Sequence, residues 1–372
     1  MKAVAYTRYG GPEVTQICSF PIPLPKKGEV QRGGEFKYIT PWTMPVIAGN
    51  EFSGIVTVVG DYVTKFAVGD RVVCRTTKSA MGGLGTYVVM PASLVAKAPT
   101  TVDLVDAAGL PLAGLTAQQA LEKLDVKAGD RILITGGAGG VGLFAIQLAK
   151  IRGAHITATA SDAGKPYVLK AGADTVIDYR NQKLADLPEK FVKVFDVAGG
   201  EEALINDVIP AVAQGGHIVS VAGHPTPGLF DTILPVWKSP LINLVLSFRS
   251  RTLRNAAASH GVRYEYFFMR PDGLQLEHLC NLIDEEHLRD WNQVGPRAKS
   301  SLSSPTVRTS RGQFRKLLTE QTVVNTLCSI IATRRNKTGG QRRPDHYSGV
   351  TQRSIAALPP LCVISVRTEY CG

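Results

Sequence analysis

The residues best suited to bind a ligand lie in a glycine-rich segment that follows a short apolar run at 132–134. Gly137, Gly139 and Gly142 match the spacing G-x-G-x-x-G. In that pattern one glycine permits a tight turn, one lets the backbone approach a pyrophosphate, and one allows a helix to pack closely on a strand. Amides at the start of the next helix would face the phosphates. The residues predicted to bind phosphate are consecutive: Gly137, Ala138, Gly139, Gly140, Val141 and Gly142.

Glycines also occur in ordinary turns, so the flanking sequence decides between the two interpretations. Gly129–Asp130 predicts a turn before the first strand, and an apolar face at Val141, Phe144, Ala145 and Leu148 predicts a helix after the glycines. A second apolar strand, His155–Ala160, follows that helix. This strand-helix-strand order favours a dinucleotide-binding turn over an ordinary one.

The chain changes character at about residue 110. Residues 1–109 show short alternating strands separated by Gly, Pro and Asp, which predicts a compact all-β unit. Residues 110–268 alternate strands with helices, which predicts an α/β, doubly wound parallel sheet. Its six strands are expected at 131–135, 155–160, 174–178, 193–197, 216–221 and 262–268. An apolar stripe at 276, 279, 282 and 283 predicts a helix over 273–288.

The positive charge is concentrated at the C-terminal end. The 372 residues carry a net charge of +11. Residues 289–372 hold 14 Lys and Arg against 4 Asp and Glu, and residues 1–288 hold 28 against 27. This tail shows no sustained periodicity, so we expect it to be disordered, with Val323–Ala332 as a candidate short element. The rest of the chain is nearly neutral.

Five segments carry a family resemblance: Pro45–Gly54, Val59–Val72, Leu112–Leu121, the glycine turn and Ala171–Tyr179. Through them, residues 1–288 resemble the zinc-free quinone oxidoreductase and enone reductase branch of the medium-chain dehydrogenase/reductase superfamily. The resemblance implies a GroES-like β-rich catalytic domain over 1–109 and a Rossmann domain over 110–268. It also implies a bound NADP cofactor in the cleft between them, and a helix over 269–288 that returns toward the catalytic domain.

The metal ligands of the zinc-using branch are missing from this chain. That branch has a His-Glu pair where Asn50–Glu51 stands here, together with further Cys and His ligands. A lone Glu51 or Cys74 is therefore expected to be structural, and the six scattered cysteines indicate neither a zinc lobe nor a disulfide framework. The resemblance implies hydride transfer without zinc, in which the protein supplies orientation and a polar environment.

The resemblance also indicates residues near the nicotinamide. Thr116 would lie beside the nicotinamide or its ribose, although a helix N-cap explains a threonine there equally well. Ala222 would follow the fifth strand at the carboxyl edge of the sheet, where ligands bind. Phe267 and Phe268 would approach the nicotinamide, and core packing is the alternative for at least one of them.

The cofactor choice depends on the end of the second strand. An acidic residue there would hydrogen-bond the ribose hydroxyls and repel a 2′-phosphate. This strand ends at Ser161 with Lys165 nearby, and in related reductases a small hydroxyl, a base and a tyrosine such as Tyr179 surround the 2′-phosphate. We therefore expect NADPH rather than NADH. Asp162 could instead reach the ribose, and Lys165 could be a solvated surface charge.

The chain departs from the family pattern twice. The family has about twenty more residues after Val30, including a strand and an asparagine that faces the nicotinamide, so no catalytic residue can be assigned. After Leu288 the tail matches nothing in the family and has the composition of translated non-coding sequence. A basic arm for nucleic acid or acidic partners is the alternative, since Arg334–Arg335 and Arg342–Arg343 cluster.

Together these features predict an NADPH-dependent oxidoreductase that reduces a small-molecule quinone or α,β-unsaturated carbonyl. The alternatives are an enoyl reductase of a biosynthetic pathway and a cofactor-binding remnant without turnover. Similar reductases are often dimers, so a homodimer is expected. The N-terminus lacks a secretory signal, which predicts a cytoplasmic location, and the apolar stretch Ile233–Phe248 is too short to span a bilayer.

Overall fold

A computed structural model of the protein describes most of the chain up to residue 290 and one segment of the tail. The described residues are 1–8, 14–22, 44–60, 62–77, 81–231, 239–290, 294 and 361–365. Three features of the sequence analysis lie outside these residues. They are the site after Val30 where the family has about twenty more residues, the run Val323–Ala332, and the two arginine pairs of the tail. No helix in the described residues is long and apolar enough to cross a membrane.

The described elements before residue 104 are mainly strands, and helices and strands then follow one another along the chain, as the sequence predicted. The strands are β1 (Lys2–Tyr6), β2 (Thr15–Ser19), β3 (Val46–Ile47), β4 (Glu51–Val59), β5 (Arg71–Arg75), β6 (Tyr87–Pro91), β7 (Val95–Lys97), β8 (Arg131–Ile134), β9 (His155–Ala160), β10 (Thr175–Asp178), β11 (Phe191–Asp196), β12 (Val212–Ser220), β13 (Arg263–Tyr266) and β14 (Leu361–Ser365). The helices are α1 (Leu104–Ala107), α2 (Leu110–Lys123), α3 (Gly140–Ile151), α4 (Lys165–Ala171), α5 (Glu201–Ala203), α6 (Ser239–Arg249), α7 (Arg251–Ser259) and α8 (Gly273–Asp284).

The chain divides into two compact units. Unit 1 contains the described residues of Met1–Asp70 and Thr76–Ser93 together with β14. Unit 2 contains β5 and the described residues of Leu94–Lys299. The domain boundary expected between residues 109 and 110 therefore falls inside unit 2.

Unit 1 is built from antiparallel strands. β1 pairs with β2 on one side and β3 on the other, and it buries Ala3, Val4 and Ala5. β14 lies between β4 and β6 and is antiparallel to both, with Cys362 opposite Val59 on one side and Met90 on the other. The composition of the tail did not indicate this strand, because five residues of which only Val363 and Ile364 are β-branched are lost in an average over a long polar segment.

Unit 2 contains a parallel sheet of six strands in the order β10-β9-β8-β11-β12-β13. The order runs outward from β8 in both directions, so the sheet reverses between β8 and β11. In open α/β sheets ligands bind at such a switch point, outside the carboxyl ends of the strands. The predicted doubly wound fold is confirmed, and all six predicted strands are present. The largest difference is at β12, which begins four residues earlier than expected.

Apolar side chains from the central strands and α3 form the core of unit 2. Ile132 and Phe195 of the sheet are fully buried, as are Ala145 and Ile146 of α3. Burial of side chains of this size supplies the main favourable term for holding a helix on a sheet, about 1.5–3 kcal/mol for each large one. This packing fixes the start of α3 at the carboxyl edge of β8.

The predicted final helix is present as α8 and ends at Asp284, four residues short of the expected bound. Asp272 caps its N-terminus, accepting hydrogen bonds from the amides of Leu274 and Gln275. Within unit 2 the helix packs on α2 and β7. Its last residue, Asp284, accepts hydrogen bonds from the amides of Thr100 and Thr101 at 2.7 and 3.0 Å.

Candidate cofactor-binding site

The glycine turn joins β8 to α3 in the tight form that the spacing predicted. Gly136 has φ +62°, a left-handed conformation that favours glycine. The amide of Gly137 donates to the carbonyl of Thr159 on the neighbouring strand at 2.8 Å. A Cβ on Gly142 would lie 2.4 Å from the carbonyl oxygen of Gly136, so any side chain there would push α3 away from the turn. The turn therefore depends on small residues at these positions.

The start of α3 is open to a ligand. Gly139 is the N-cap residue and contributes no side-chain cap, so the first-turn amides of the helix keep their donors available. Gly139 is exposed, and Gly140 and Val141 are partly exposed. An N-terminus in this state fits a phosphate or pyrophosphate, because the amide dipoles and the helix dipole both favour negative charge there. The first-turn amides of Gly140, Val141 and Gly142 are thus suited to a phosphate, whereas the amides of Gly137 and Gly139 already donate to the carbonyls of Thr159 and Gly136. Cofactor binding by residues 137–142 stays a prediction.

A second loop lies beside the turn. The carbonyl of Ser161 accepts hydrogen bonds from the amides of Gly164 and Lys165 at 2.8 and 2.9 Å, which closes a short loop before α4. A Cβ on Gly164 would lie 2.7 Å from the Cβ of Ala138, so this loop packs directly on the glycine turn. Lys165 begins α4 and is exposed. The structure therefore places Ser161 and Lys165 next to the residues predicted to bind phosphate.

Tyr179 belongs to the same edge of the sheet. Ala160 and Asp178 are partners in the pairing of β9 with β10, so Ser161 and Tyr179 leave adjacent strand ends. The Tyr179 ring is exposed and lies 5.8 Å from the guanidinium of Arg180. The predicted set of hydroxyl, base and tyrosine is thus gathered at neighbouring strand and helix ends. Asp162, the competing acid, is exposed in the loop between them.

A buried carboxylate joins three strand ends at the switch point. Asp196, at the end of β11, is fully buried and accepts hydrogen bonds from Thr135 Oγ1 at 2.7 Å and Ser220 Oγ at 2.6 Å. The Gly199 amide donates to the same carboxylate at 3.0 Å. Burial raises the pKa of Asp196, because a charge is poorly solvated there, and the hydrogen bonds oppose that rise. These contacts fix the loops that leave β8, β11 and β12.

The sequence analysis did not identify this network. Thr135 also accepts from the Val197 amide at 2.9 Å, and Ser220 accepts from the amides of Ala222 and Gly223 at 3.2 and 2.9 Å. The hydrogen bond from its amide to Ser220 thus fixes the backbone of Ala222, a residue predicted to contact the cofactor. A carboxylate closing an apolar strand at the ligand-binding edge is the pattern that could have revealed Asp196.

A second polar group lies after β12. His224 Nε2 is 2.8 Å from Glu201 Oε2 at the start of α5, and the Tyr264 hydroxyl donates to the His224 carbonyl at 3.2 Å. Burial raises the pKa of Tyr264 above its ordinary value, because a phenolate would be poorly solvated there. These contacts at His224 fix the C-terminal end of the loop that contains Ala222.

The structure separates the alternatives for Thr116. The helix α2 begins at Leu110, after the N-cap residue Gly109 and with Pro111 in its first turn. Thr116 lies inside this helix, and its hydroxyl donates to the Leu112 carbonyl at 2.6 Å. The N-cap interpretation is therefore wrong, because the helix starts six residues earlier. Its placement near the nicotinamide stays a prediction.

Phe267 and Phe268 follow β13, which ends at Tyr266 rather than at residue 268 as expected. Phe267 is buried in the core of unit 2, and its amide donates to the Ser220 carbonyl at 2.8 Å. Phe268 is partly buried beside the rings of Tyr266 and Phe230, at centroid distances of 5.1 and 5.9 Å. Core packing thus accounts for Phe267, while Phe268 is only partly buried.

The described residues give no support for a metal site. No three His, Cys, Asp or Glu side chains group together in this part of the chain as a bound metal would require. Cys74 is buried, and its Sγ lies 3.4 Å from the Leu94 carbonyl. This contact fits the structural role expected for that cysteine.

The comparisons with known proteins agree with this fold. Residues 140–258 match the zinc-binding dehydrogenase family, and residues 27–100 match the alcohol dehydrogenase GroES-like domain. Two solved structures cover most of the chain: the quinone oxidoreductase from Coxiella burnetii (25% identity, TM-score 0.59, 78% of this chain and 89% of that one) and the Escherichia coli quinone oxidoreductase complexed with NADPH (24% identity, TM-score 0.58, 78% and 90%). The second, at this identity, shows the fold alone.

Plant reductases are among the similar sequences. The NADPH-dependent alkenal/one oxidoreductase of Arabidopsis thaliana is 35% identical over 63% of this chain and 66% of its own length. The 2-methylene-furan-3-one reductase of Solanum lycopersicum is 37% identical over 63% and 65%. The chain thus spans just under two thirds of these two relatives.

A third relative is covered more completely. The chloroplastic quinone oxidoreductase of Triphysaria versicolor is 36% identical over 68% of this chain and 85% of its own length. Similarity of this extent, together with the glycine turn and the strand order, identifies the family. The chain belongs to the quinone and enone reductase branch of the medium-chain dehydrogenase/reductase superfamily.

Proposed function

We propose that the protein binds NADPH at the carboxyl edge of the unit 2 sheet and reduces a quinone or an α,β-unsaturated carbonyl compound. The observation that carries this proposal is the turn from β8 to α3, whose tight contacts leave an uncapped helix N-terminus for the pyrophosphate. The names of the relatives support the reaction, since they include an NADPH-dependent alkenal/one oxidoreductase and a quinone oxidoreductase.

Each group of residues has a separate task in this proposal. The first-turn amides of α3, from Gly140 to Gly142, bind the pyrophosphate, and Ser161, Lys165 and Tyr179 surround the 2′-phosphate. The Asp196 network holds the loops containing Val197 and Ala222 at the switch point, which orients whatever binds there. Phe268, which is partly exposed, lies near the nicotinamide in this proposal.

Bound NADPH supplies a hydride for an electron-poor carbon or a quinone. The protein positions the two reactants and excludes water, and no step requires a zinc ion in this proposal. The sequence supports a zinc-free reaction in this proposal, because Asn50 stands where the zinc-using branch has a histidine ligand. Hydride transfer between oriented reactants needs correct geometry above all.

The purified full chain provides the test. NADPH should be oxidised in the presence of a short-chain quinone or an α,β-unsaturated ketone, and the rate should be the same after treatment with a chelator. Loss of activity on chelation would refute the zinc-free reaction. Binding of NADPH without turnover of any quinone or enone would instead indicate a cofactor-binding remnant.

The assembly and the location belong to the same proposal. We expect a homodimer, as is common for such reductases, and a cytoplasmic protein. Four relatives carry the word chloroplastic or chloroplast in their names, which makes an organelle the specific alternative. Imaging of a tagged full-length chain in its native cell would separate the two locations.

A further inference from the structure

The helix α6 exposes a continuous apolar stripe. Its members are spaced i, i+3, i+4 and i+7, so they share one face of the helix. They are Leu241, Leu244, Val245 and Phe248, which are 67%, 55%, 51% and 68% exposed. The opposite side of α6 packs against the protein, and Leu246 on that side is buried. Four neighbouring large apolar side chains in water are unusual for a surface helix and mark an interaction site.

The surroundings of the stripe are basic overall, because three arginines outnumber one acid, Asp231, whose carboxylate accepts a hydrogen bond from Asn243 of α6 at 2.8 Å. Arg249 ends α6, and Arg251 and Arg254 lie on α7, which packs against α6. All three arginines are exposed, and no ion pair joins them to a carboxylate within the described residues. The sequence holds no acidic residue between Asp231 and Glu265. A partner of this surface must therefore be apolar at its centre and negatively charged around it.

These two properties favour one kind of partner. A second copy of the same surface would bring together two surfaces of the same net positive charge, whereas a two-fold dimer interface must be complementary to itself. An anionic lipid surface meets both requirements, since phosphate groups neutralise the arginines while the acyl region accepts leucine and phenylalanine side chains. We infer that α6 and the start of α7 dock the protein on an anionic membrane surface, with the apolar stripe inserted among the lipid headgroups.

Vesicle flotation with the full chain tests this docking surface. The protein should float with vesicles of phosphatidylcholine and phosphatidylserine mixed two to one, and it should stay behind with vesicles of phosphatidylcholine alone. Added salt should weaken the binding, because it screens the arginines. Equal binding to both kinds of vesicle, or binding to neither, would overturn the inference.

A variant separates the stripe from the other basic parts of the chain. Leu244→Ser/Phe248→Ser removes apolar surface without changing any charge, and it should weaken binding to the anionic vesicles at least tenfold. Leu274→Ser is the matched control, since that leucine is 74% exposed on α8. The basic tail is the same in both variants. If the stripe variant bound as well as the control, the tail or another surface would be the membrane site.

A second pair of variants measures how much the arginines contribute to membrane binding. Arg251→Gln/Arg254→Gln should weaken binding about fivefold for each charge removed. Lys170→Gln/Lys183→Gln removes two exposed charges from other elements and should have a much smaller effect. An equal loss in both variants would show that net charge alone is recognised and would contradict a specific surface.

Measuring the oligomeric state of the wild type and the stripe variant tests whether the stripe is a subunit interface instead. All the substituted side chains are exposed, so each variant should keep the melting temperature and the NADPH affinity of the wild type. If the wild type were a dimer, the stripe variant a monomer, and neither bound vesicles, the stripe would be a subunit interface and the inference would be wrong. None of these measurements depends on turnover, so they are independent of the proposed reaction.

Discussion

At the scale of single residues, the glycine turn allows a sharp test. Gly142→Ala places a methyl group 2.4 Å from the Gly136 carbonyl and must displace α3 or the turn. We expect a loss of about 1–3 kcal/mol in unfolding free energy and a marked loss of NADPH affinity, measured by thermal unfolding and by titration. Gly109→Ala is the control, because nothing lies within 4 Å of a Cβ there. Unchanged affinity in the Gly142 variant would contradict the predicted turn.

Lys165 tests the choice of cofactor. Lys165→Ala should weaken NADPH binding more than NADH binding, because only NADPH carries the 2′-phosphate that an ammonium group can neutralise. Titration of both cofactors measures the ratio of their dissociation constants. Lys170→Ala, on the same helix, should leave this ratio unchanged. Equal losses for both cofactors in the Lys165 variant would leave Lys165 as a solvated surface charge.

Asp196 tests the hydrogen-bond network that the sequence did not reveal. Asp196→Leu leaves Thr135, Ser220 and the Gly199 amide without their acceptor in a buried site. We expect a loss of about 3 kcal/mol or more in unfolding free energy, since each unsatisfied buried donor costs about 1–3 kcal/mol. Asp196→Asn keeps the shape and one acceptor oxygen, so its loss should be smaller. Chemical denaturation of both variants gives the comparison, and equal stability of the Leu variant and the wild type would refute the structural role.

At the scale of elements, Asp284 connects α8 to the segment after β7. The carboxylate accepts hydrogen bonds from the amides of Thr100 and Thr101 and from the Thr101 hydroxyl. Burial alone would raise its pKa, but these hydrogen bonds outweigh burial and lower the pKa below 3.8. Asp284→Ala should therefore cost about 1 kcal/mol at neutral pH.

The same residue gives a dependence on pH with a definite sign. A carboxyl group whose pKa is lowered in the folded state adds stability that is fully present above its unfolded value and is lost as the pH falls through the folded value. The stability difference between the wild type and Asp284→Ala should thus be constant at neutral pH and shrink below about pH 3.8. Denaturation curves at a series of pH values measure it. A difference that persisted in strong acid would assign the effect to lost packing.

The sequence predicted the elements of unit 2 well where one pattern dominates. Apolar strands and glycine punctuation located all six parallel strands and the turn into α3. Thr116 was harder, because a threonine before apolar residues can be an N-cap or an interior residue, and Gly109 and Pro111 decide where α2 begins. The Asp196 network could not be predicted in full, since it joins residues from strands that only the fold brings together.

At the scale of the whole molecule, the tail shows where sequence patterns fail. Its average composition predicted no fold, yet Leu361–Ser365 pairs with both β4 and β6 in unit 1. Strand pairing is a contact between distant parts of the chain, so a short, mostly apolar run carries little local information about its partner. The charge of the tail, by contrast, can be read directly from the sequence.

Limited proteolysis of the whole chain tests whether the cofactor stabilises unit 2 as the proposed site requires. NADPH at 100 times its dissociation constant should add about 2.7 kcal/mol to the folded state, because the ligand binds only that state. Cleavage that depends on opening of unit 2 should then slow about a hundredfold, with the protected fragment identified by mass. The Gly142→Ala variant, treated identically, should gain much less protection. Cleavage of the wild type at the same rate with and without saturating NADPH would place the cofactor site outside unit 2.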